Sequence, residues 1–220
     1  MDTIEPVSVA VLAKAPVAGF AKTRLIPVLG ADGAALLQAQ LIERAVGTAC
    51  AAAVGPVILW AAPDHTHPVF RKLERCGVRL ACQREGDLGA RMIEAISAVP
   101  GPVLVIGTDC PALGAEHLHS AADLLRSGSD VVIGPAEDGG YVLIGMRCPR
   151  PELLEQMPWS TGEVMQETRR RLRHRGLAWQ ELVTLWDVDR PEDLERLANI
   201  SNSVISDENP VSIPALTADY

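Results

Sequence analysis

The strongest constraint on this chain is an alternation of short apolar runs with stretches of helical spacing. Residues 7–13 read Val-Ser-Val-Ala-Val-Leu-Ala, and comparable runs return at 56–62, 78–82, 102–107 and 130–135. A strand buried on both faces has this continuous, β-branched character. Between them the apolar spacing predicts helices over 31–53, 68–76, 88–99 and 115–127, with Gly55, Gly77 and Gly128 as stops. Parallel neighbours need a crossover, so this βαβ rhythm implies a largely parallel sheet with helices on both faces. Residues 139–146 form another strand pattern with no room before it for a crossover helix, which makes the expected sheet mixed. A helix over 161–175, a strand near 182–186 and a helix over 191–199 complete one domain spanning 1–200. From Ser201 the periodicity stops, and 201–220 reads as a flexible tail.

Composition narrows the partners. At 220 residues, 48% hydrophobic and 22% charged, the chain suits one domain with a full core. A net charge of -8 disfavours nucleic acid and anionic membrane surfaces as partners, so an anionic small molecule would need a local basic site. The five cysteines are odd in number, scattered and never in a Cys-x-x-Cys pair, which points to reduced thiols in a cytoplasmic setting. The N-terminal residues lack a positive leader, and no uninterrupted apolar run approaches the ~18 residues of a membrane span.

A local basic site is present. Directly after the first strand pattern, Lys14, Lys22 and Arg24 bracket Gly19 in a loop at a strand's carboxyl end, where open α/β sheets bind ligands. Backbone N–H groups and cationic side chains together replace water around phosphate oxygens. The loop is no Walker motif, since Ala21 precedes Lys22 and Arg24 follows Thr23, and no G-x-G-x-x-G follows the strand. A second constellation, Gly107-Thr108-Asp109-Cys110-Pro111, ends the 102–107 strand. Asp109 there is either a divalent-metal ligand or a cap for the following turn. Asp187 and Asp189 precede a helix with Pro191 in its first turn, so one can cap and the other can ligate.

Three further motifs admit two readings each. Gly86-Asp87-Leu88-Gly89 either lets a backbone approach a flat base or is a turn with Asp87 as helix cap. Asp138-Gly139-Gly140 is a hairpin turn whose acid could act as a general base or bind an acceptor. The pairs His65/His67 and His117/His119 lack partners at zinc spacing, and the arginine run over 169–175 reads as a solvated helix face.

Together the motifs K-x-P-x-x-G-x-x-K-T-R-L, G-D-L-G-x-R-M, G-T-D-C-P-x-L, G-P-x-x-D-G-G-Y, W-S-T and D-V-D-x-P-E-D-L, in this order across about 7–198, resemble the transferases associated with radical-SAM/selenodomain proteins. That family is often labelled a glycosyltransferase, in some settings of arsenosugar biosynthesis. More distantly the chain is similar to phospholactate and molybdenum-cofactor guanylyltransferases. The resemblance implies a GT-A nucleotide-diphosphosugar transferase fold, a three-layer sandwich with a mixed, mostly parallel sheet. It implies a nucleoside triphosphate or sugar nucleotide as donor, a small-molecule acceptor, and Mg²⁺ or Mn²⁺. Lys22 and Arg24 would contact phosphates, with Ala13, Lys14 and Gly19 alongside and Gly86, Asp87 and Gly89 by the base. Asp109 and Asp189 would hold the metal, Lys22 and Asp109 would serve catalysis, and Asp138 would be the base. Asp138, Gly139, Gly140 and Trp159 would face the acceptor. One departure bears on the reaction: many metal-dependent glycosyltransferases carry Asp-x-Asp where this chain has Asp109-Cys110-Pro111, an arrangement closer to nucleotidyltransferases.

Overall fold

The computed structural model describes the backbone of residues 5–204 and the side chains of residues 5–200. Seven strands, β1 (Ser8–Lys14), β2 (Val57–Ala62), β3 (Arg79–Cys82), β4 (Val103–Ile106), β5 (Val131–Pro135), β6 (Tyr141–Met146) and β7 (Trp179–Glu181), form one sheet in the order β3-β2-β1-β4-β6-β5-β7. Strand β6 runs antiparallel to β4 and β5, and the other pairings are parallel. The mixed sheet is therefore as the short 135–139 connection requires.

Seven helices cover it: α1 (Ile26–Ala52), α2 (Pro68–Arg75), α3 (Leu88–Ser97), α4 (Ala115–Arg126), α5 (Pro151–Leu154), α6 (Val164–Arg175) and α7 (Asp193–Val204). Strand alternation sorts side chains between the layers. Val9, Val11 and Ala13 face α1, α2 and α4 through Ile42, Phe70 and Leu118, while Ala10 and Leu12 face α3, α5 and α6 through Ile96, Leu153 and Leu172. Burying each large aliphatic or aromatic side chain contributes roughly 1.5–3 kcal/mol, so these two apolar layers carry most of the fold's stability.

Four expectations shift. The first helix begins at Ile26, earlier than the apolar spacing suggests, with Gly30 at φ 70° breaking its regularity just before the expected start. The last strand is β7 at 179–181, and the 182–186 segment instead runs past β5 with a single bridge from Leu185 to Ala136. Helix α5 is too short for its periodicity to register in the sequence. Helix α7 begins at Asp193 and continues to Val204, so the aperiodic Ser201–Val204 is helical, and the rest of the expected tail lies outside the described residues. Among the described residues one helix, Thr23–Ala52, whose best 18-residue stretch has mean hydropathy 1.5, could cross a membrane by length and composition, an attribute no uninterrupted apolar run announces. Its Leu37, Leu41, Ile42 and Val46 are buried.

Connectivity fixes where a ligand can sit. From β1 the chain steps outward through β2 to β3, then returns to place β4 on the other side of β1. The strand order reverses between β1 and β4, and a crevice opens at the carboxyl ends of strands at such a point. The Lys14–Arg24 loop leaves β1 there and Asp109 leaves β4 there.

Candidate functional site

The β1 loop is held tightly. Ala15 N–H donates to Ala62 O at 2.7 Å, and the N–H groups of Phe20 and Ala21 both donate to Val17 O at 3.0 Å. Lys22 follows in a left-handed conformation, φ 45° and ψ 47°, before a 3-10 turn over Thr23–Leu25. That turn sinks Leu25 into a small core with Leu37, Leu41 and Val188. The left-handed step sends the Lys22 side chain inward, where it is 5% exposed. Its Nζ donates to Val188 O at 2.6 Å and pairs with Asp109 Oδ1 at 2.8 Å. Arg24, by contrast, reaches along the surface to Asp189.

Asp109 is the hub. Its carbonyl accepts from Val188 N–H at 2.8 Å, tying the end of β4 to the 186–190 segment. Its carboxylate is oriented by a chain absent from the sequence reading: buried Gln38 Nε2 donates to Thr108 Oγ1 at 3.0 Å, and Thr108 Oγ1 donates to Asp109 Oδ1 at 3.2 Å. Gln38 lies on α1, and nothing in the sequence separates it from the neighbouring Gln40; its burial does. The Asp109 carboxylate stays half exposed, facing the crevice.

Asp187 and Asp189 part company. Asp189 is the partner of Arg24, whereas Asp187 is half-buried beside Asp138, Asp109 and Asp189. Desolvation first, then the Asp138 charge and those of Asp109 and Asp189, push the Asp187 carboxyl up to about 6. Asp193, the first residue of α7, accepts from Asp189 N–H at 3.0 Å and Arg190 N–H at 2.7 Å and so ties the preceding segment to the start of the helix. Asp138 sits on the exposed β5–β6 turn, its Oδ1 accepting from Gly140 N–H at 2.8 Å. Carboxylates from three chain segments thus meet around Asp187. Among the described residues no three acids, histidines or cysteines close a full metal cage. Mg²⁺ and Mn²⁺ sites that use one or two carboxylates plus ligand phosphates do not require one.

The remaining candidates divide. Lys14 and Gly19 are exposed in the β1 loop. Ala13 is 2% exposed and its carbonyl accepts from Gln83 Nε2 at 3.0 Å. Gly86 and Asp87 are exposed, and Asp87 Oδ1 accepts from Ala90 N–H at 2.8 Å as the cap of α3. Gly89 is a correction. It is buried, and a Cβ there would drive into the Leu154 carbonyl and lie 3.1 Å from Trp159 Cζ2. Its small size serves close packing of α3 on α5, not approach of a base. Gly139, at φ 87°, has Gly162 Cα 2.8 Å from where a Cβ would stand, so the Asp138 turn fits tightly against the Trp159–Gly162 loop. Trp159 is half-buried, edge-on to Tyr141 with centroids 6.2 Å apart. Neither the Trp159 indole N–H nor the Tyr141 hydroxyl has a partner among the described residues.

Features set aside in the sequence have structural roles. His67 and His117 accept backbone N–H bonds, His119 bonds Ala52 O, and His65 Nδ1 lies 2.9 Å from Cys82 Sγ. Arg169 pairs with Glu181, Arg170 and Arg171 with Glu167, and Arg171 also binds four carbonyls between Glu152 and Gln156. A recess of about 490 Å³ beside α3, lined by Arg84, Asp87, Ala90, Ile93, Glu155 and Gln156, includes none of the clustered acids. The geometry that converges on Asp109 outweighs its volume as a guide to the site.

The mixed, mostly parallel seven-strand sheet flanked by helices is a nucleotide-diphospho-sugar transferase, GT-A-like fold, as the solved structures it matches show. The chain matches a provisional nucleotide-diphospho-sugar transferase of Desulfovibrio desulfuricans G20 with TM-score 0.80 and 29% identity over 90% of this chain and 89% of that one. A Methanothermobacter nucleotidyl transferase shares the fold at TM-score 0.59, 18% identity, 89% and 98% coverage. So does a Mycobacterium tuberculosis glucosyl-3-phosphoglycerate synthase, solved with Mn²⁺ and UDP, at TM-score 0.54, 15% identity, 91% and 77% coverage. Residues 41–161 match the family described as "Uncharacterized protein conserved in bacteria (DUF2064)", and the chain belongs to that family. No curated protein matches it by sequence.

Proposed function

We propose that this chain is a metal-assisted transferase that takes its donor from a nucleotide sugar and passes the glycosyl group to a small-molecule acceptor in the cytoplasm. The observation that carries this reading is the Lys22–Asp109 pair at 2.8 Å in the switch-point crevice, with half-buried Asp187 among further carboxylates beside it. The likeness to nucleotide-diphospho-sugar transferases and the six motifs shared with radical-SAM/selenodomain-associated transferases support it.

The donor set suits a hard divalent cation: oxygen ligands, few in number, with room left for phosphates. Asp109 and Asp187 are the residues we assign to hold it, with Asp189 kept by Arg24 at the edge. Bound there, Mg²⁺ or Mn²⁺ would neutralise charge that develops on a departing diphosphate. Lys22 and Arg24 stabilise the same charge through their cationic groups, and the Gln38–Thr108 chain holds Asp109 ready without reorganisation. Asp138, exposed on its turn, takes the acceptor hydroxyl proton, while Gly139, Gly140 and Trp159 shape the acceptor side.

A second reading rests on Asp109 standing alone before Cys110 and Pro111, without the Asp-x-Asp pattern. In it the acceptor attacks the α-phosphorus of a nucleoside triphosphate and pyrophosphate leaves, which calls for positioning more than for a base. Products separate the two. Nucleoside diphosphate released from a sugar nucleotide, in an acceptor-dependent way, supports glycosyl transfer. Pyrophosphate released from a nucleoside triphosphate overturns it for nucleotidyl transfer, and product from neither donor class overturns both.

A further inference from the structure

The Lys22 ammonium occupies the position that a cation serving Asp109 has to take. It is nearly buried, it is bonded to Asp109 Oδ1 at 2.8 Å and to Val188 O at 2.6 Å, and it is delivered by a left-handed backbone that non-glycine residues adopt at a cost. Arg24 clasps Asp189 two residues further on. Two ion pairs therefore draw the β1 loop down onto the carboxylate cluster, and the groups they join are those assigned above to phosphate on one side and to metal on the other. Asp187, on which the charges of Asp138, Asp109 and Asp189 all act, has no ion-pair partner among the described residues. The nucleotide-free site thus balances Asp109 with a lysine of its own.

We propose that Lys22 is an exchangeable counter-ion: it neutralises Asp109 when the crevice lacks nucleotide, and it releases Asp109 to a divalent cation when phosphates arrive to take the ammonium. This rests on the nucleotide reading of the site. The loop and the acids then cannot both be satisfied by the metal alone, because freeing Asp109 strands a buried ammonium, nor by the nucleotide alone, because drawing Lys22 away strands Asp109 among other carboxylates. Metal and nucleotide consequently bind with strong positive coupling, each raising the other's affinity by the same factor.

The sign of one substitution tests this. If Lys22 serves only phosphate, neutralising it leaves nucleotide-free metal binding unchanged. If it is the counter-ion of Asp109, neutralising it tightens nucleotide-free metal binding while weakening nucleotide binding. A unit charge removed within about 4 Å of the ligand site, discounted for the half-exposed carboxylate, changes cation affinity by at least about tenfold. Mn²⁺ binding followed by electron paramagnetic resonance would compare wild type, Lys22→Met, Lys22→Gln and, as a loop cation that does not touch Asp109, Lys14→Met. Each is measured without nucleotide and with uridine or guanosine diphosphate. Lys22→Gln retains an amide donor for Val188 O, so it covers the case in which Lys22→Met misfolds. The expected result is at least about tenfold tighter nucleotide-free Mn²⁺ binding in both Lys22 variants, a change within about twofold in Lys14→Met, and reduced coupling to the diphosphate. Unchanged or weaker nucleotide-free binding in both Lys22 variants, with wild type still binding Mn²⁺ and diphosphate through Asp109, overturns the exchange and leaves the site intact. Loss of any Asp109-dependent binding in wild type overturns the site reading itself.

Discussion

Gly89 offers a quantitative test, because its two readings demand opposite outcomes from Gly89→Ala. On an exposed helix the change gains about 1 kcal/mol from helix propensity. Here the added methyl meets the Leu154 carbonyl well inside contact distance, with Leu154 C and Trp159 Cζ2 each 3.1 Å away. The carbonyl is backbone at the end of α5, and the carbonyls on either side of it, Leu153 O and Glu155 O, accept from Arg171, so it yields little. Overpacking of this kind costs about 1–3 kcal/mol, and a displaced backbone puts the site at the upper end. The propensity gain offsets part of it, leaving a net loss of about 1–2 kcal/mol. For a domain of this size that is a fall in Tm of about 2–8 °C. Thermal and urea unfolding measure it, alongside nucleoside-diphosphate affinity by calorimetry. A variant as stable as wild type or more so, or one of wild-type stability that has lost nucleotide binding, would refute the packing assignment and restore the glycine to the base.

Other outcomes follow from the same structure. Thr108→Val removes the link between Gln38 and Asp109 and leaves the buried Gln38 amide without its partner, so it should lower kcat and cost about 1–3 kcal/mol by denaturant unfolding. Asp109→Asn should abolish turnover while the protein still folds, as circular dichroism and an activity assay on one preparation would show. Arg171→Met strips the carbonyls at the end of α5 of their donor and should destabilise by about 1.5–3 kcal/mol, loosening Trp159 enough to change its fluorescence. Hydrogen bonds from Arg170 and Arg171 hold the Glu167 carboxyl down to about 2, so its contribution is present above about pH 4.5 and fades as pH falls toward 2. The Tm difference between wild type and Glu167→Gln should therefore be larger at pH 7 than at pH 3.

Much of the architecture was legible in the chain because strands buried on both faces leave continuous apolar runs, as β1, β2, β4, β5 and β6 do, while the half-exposed edge strand β3 was legible from its place in the βαβ rhythm. The same rule hid β7, whose Trp179-Gln180-Glu181 is a half-exposed edge strand with no apolar run, and α5, a single turn. In the site, Lys22, Arg24, Asp109, Asp187 and Asp189 were legible as residue types at strand ends. Which acid meets which cation was not, since that depends on the left-handed step at Lys22 and on the 186–190 segment lying across the end of β4. Gly89 was ambiguous for a related reason. Glycine in a loop motif looks the same whether a ligand or a neighbouring helix needs the space, and only the Leu154 carbonyl distinguishes them. Gln38 carried no motif, and Thr108 stood in the Gly107–Pro111 motif with no role assigned; the part they play emerges from α1 packing across the end of β4.

The central claim is that Asp109 anchors a metal-assisted nucleotide site at the β1–β4 switch point. Calorimetric titration of uridine, guanosine, adenosine and cytidine diphosphates, with and without Mn²⁺, on wild type and Asp109→Asn tests it most directly. At least one diphosphate should bind wild type in a Mn²⁺-dependent way and lose at least about tenfold in affinity in the variant. Binding indifferent to both Mn²⁺ and Asp109, or no binding by any of the four, would contradict the account.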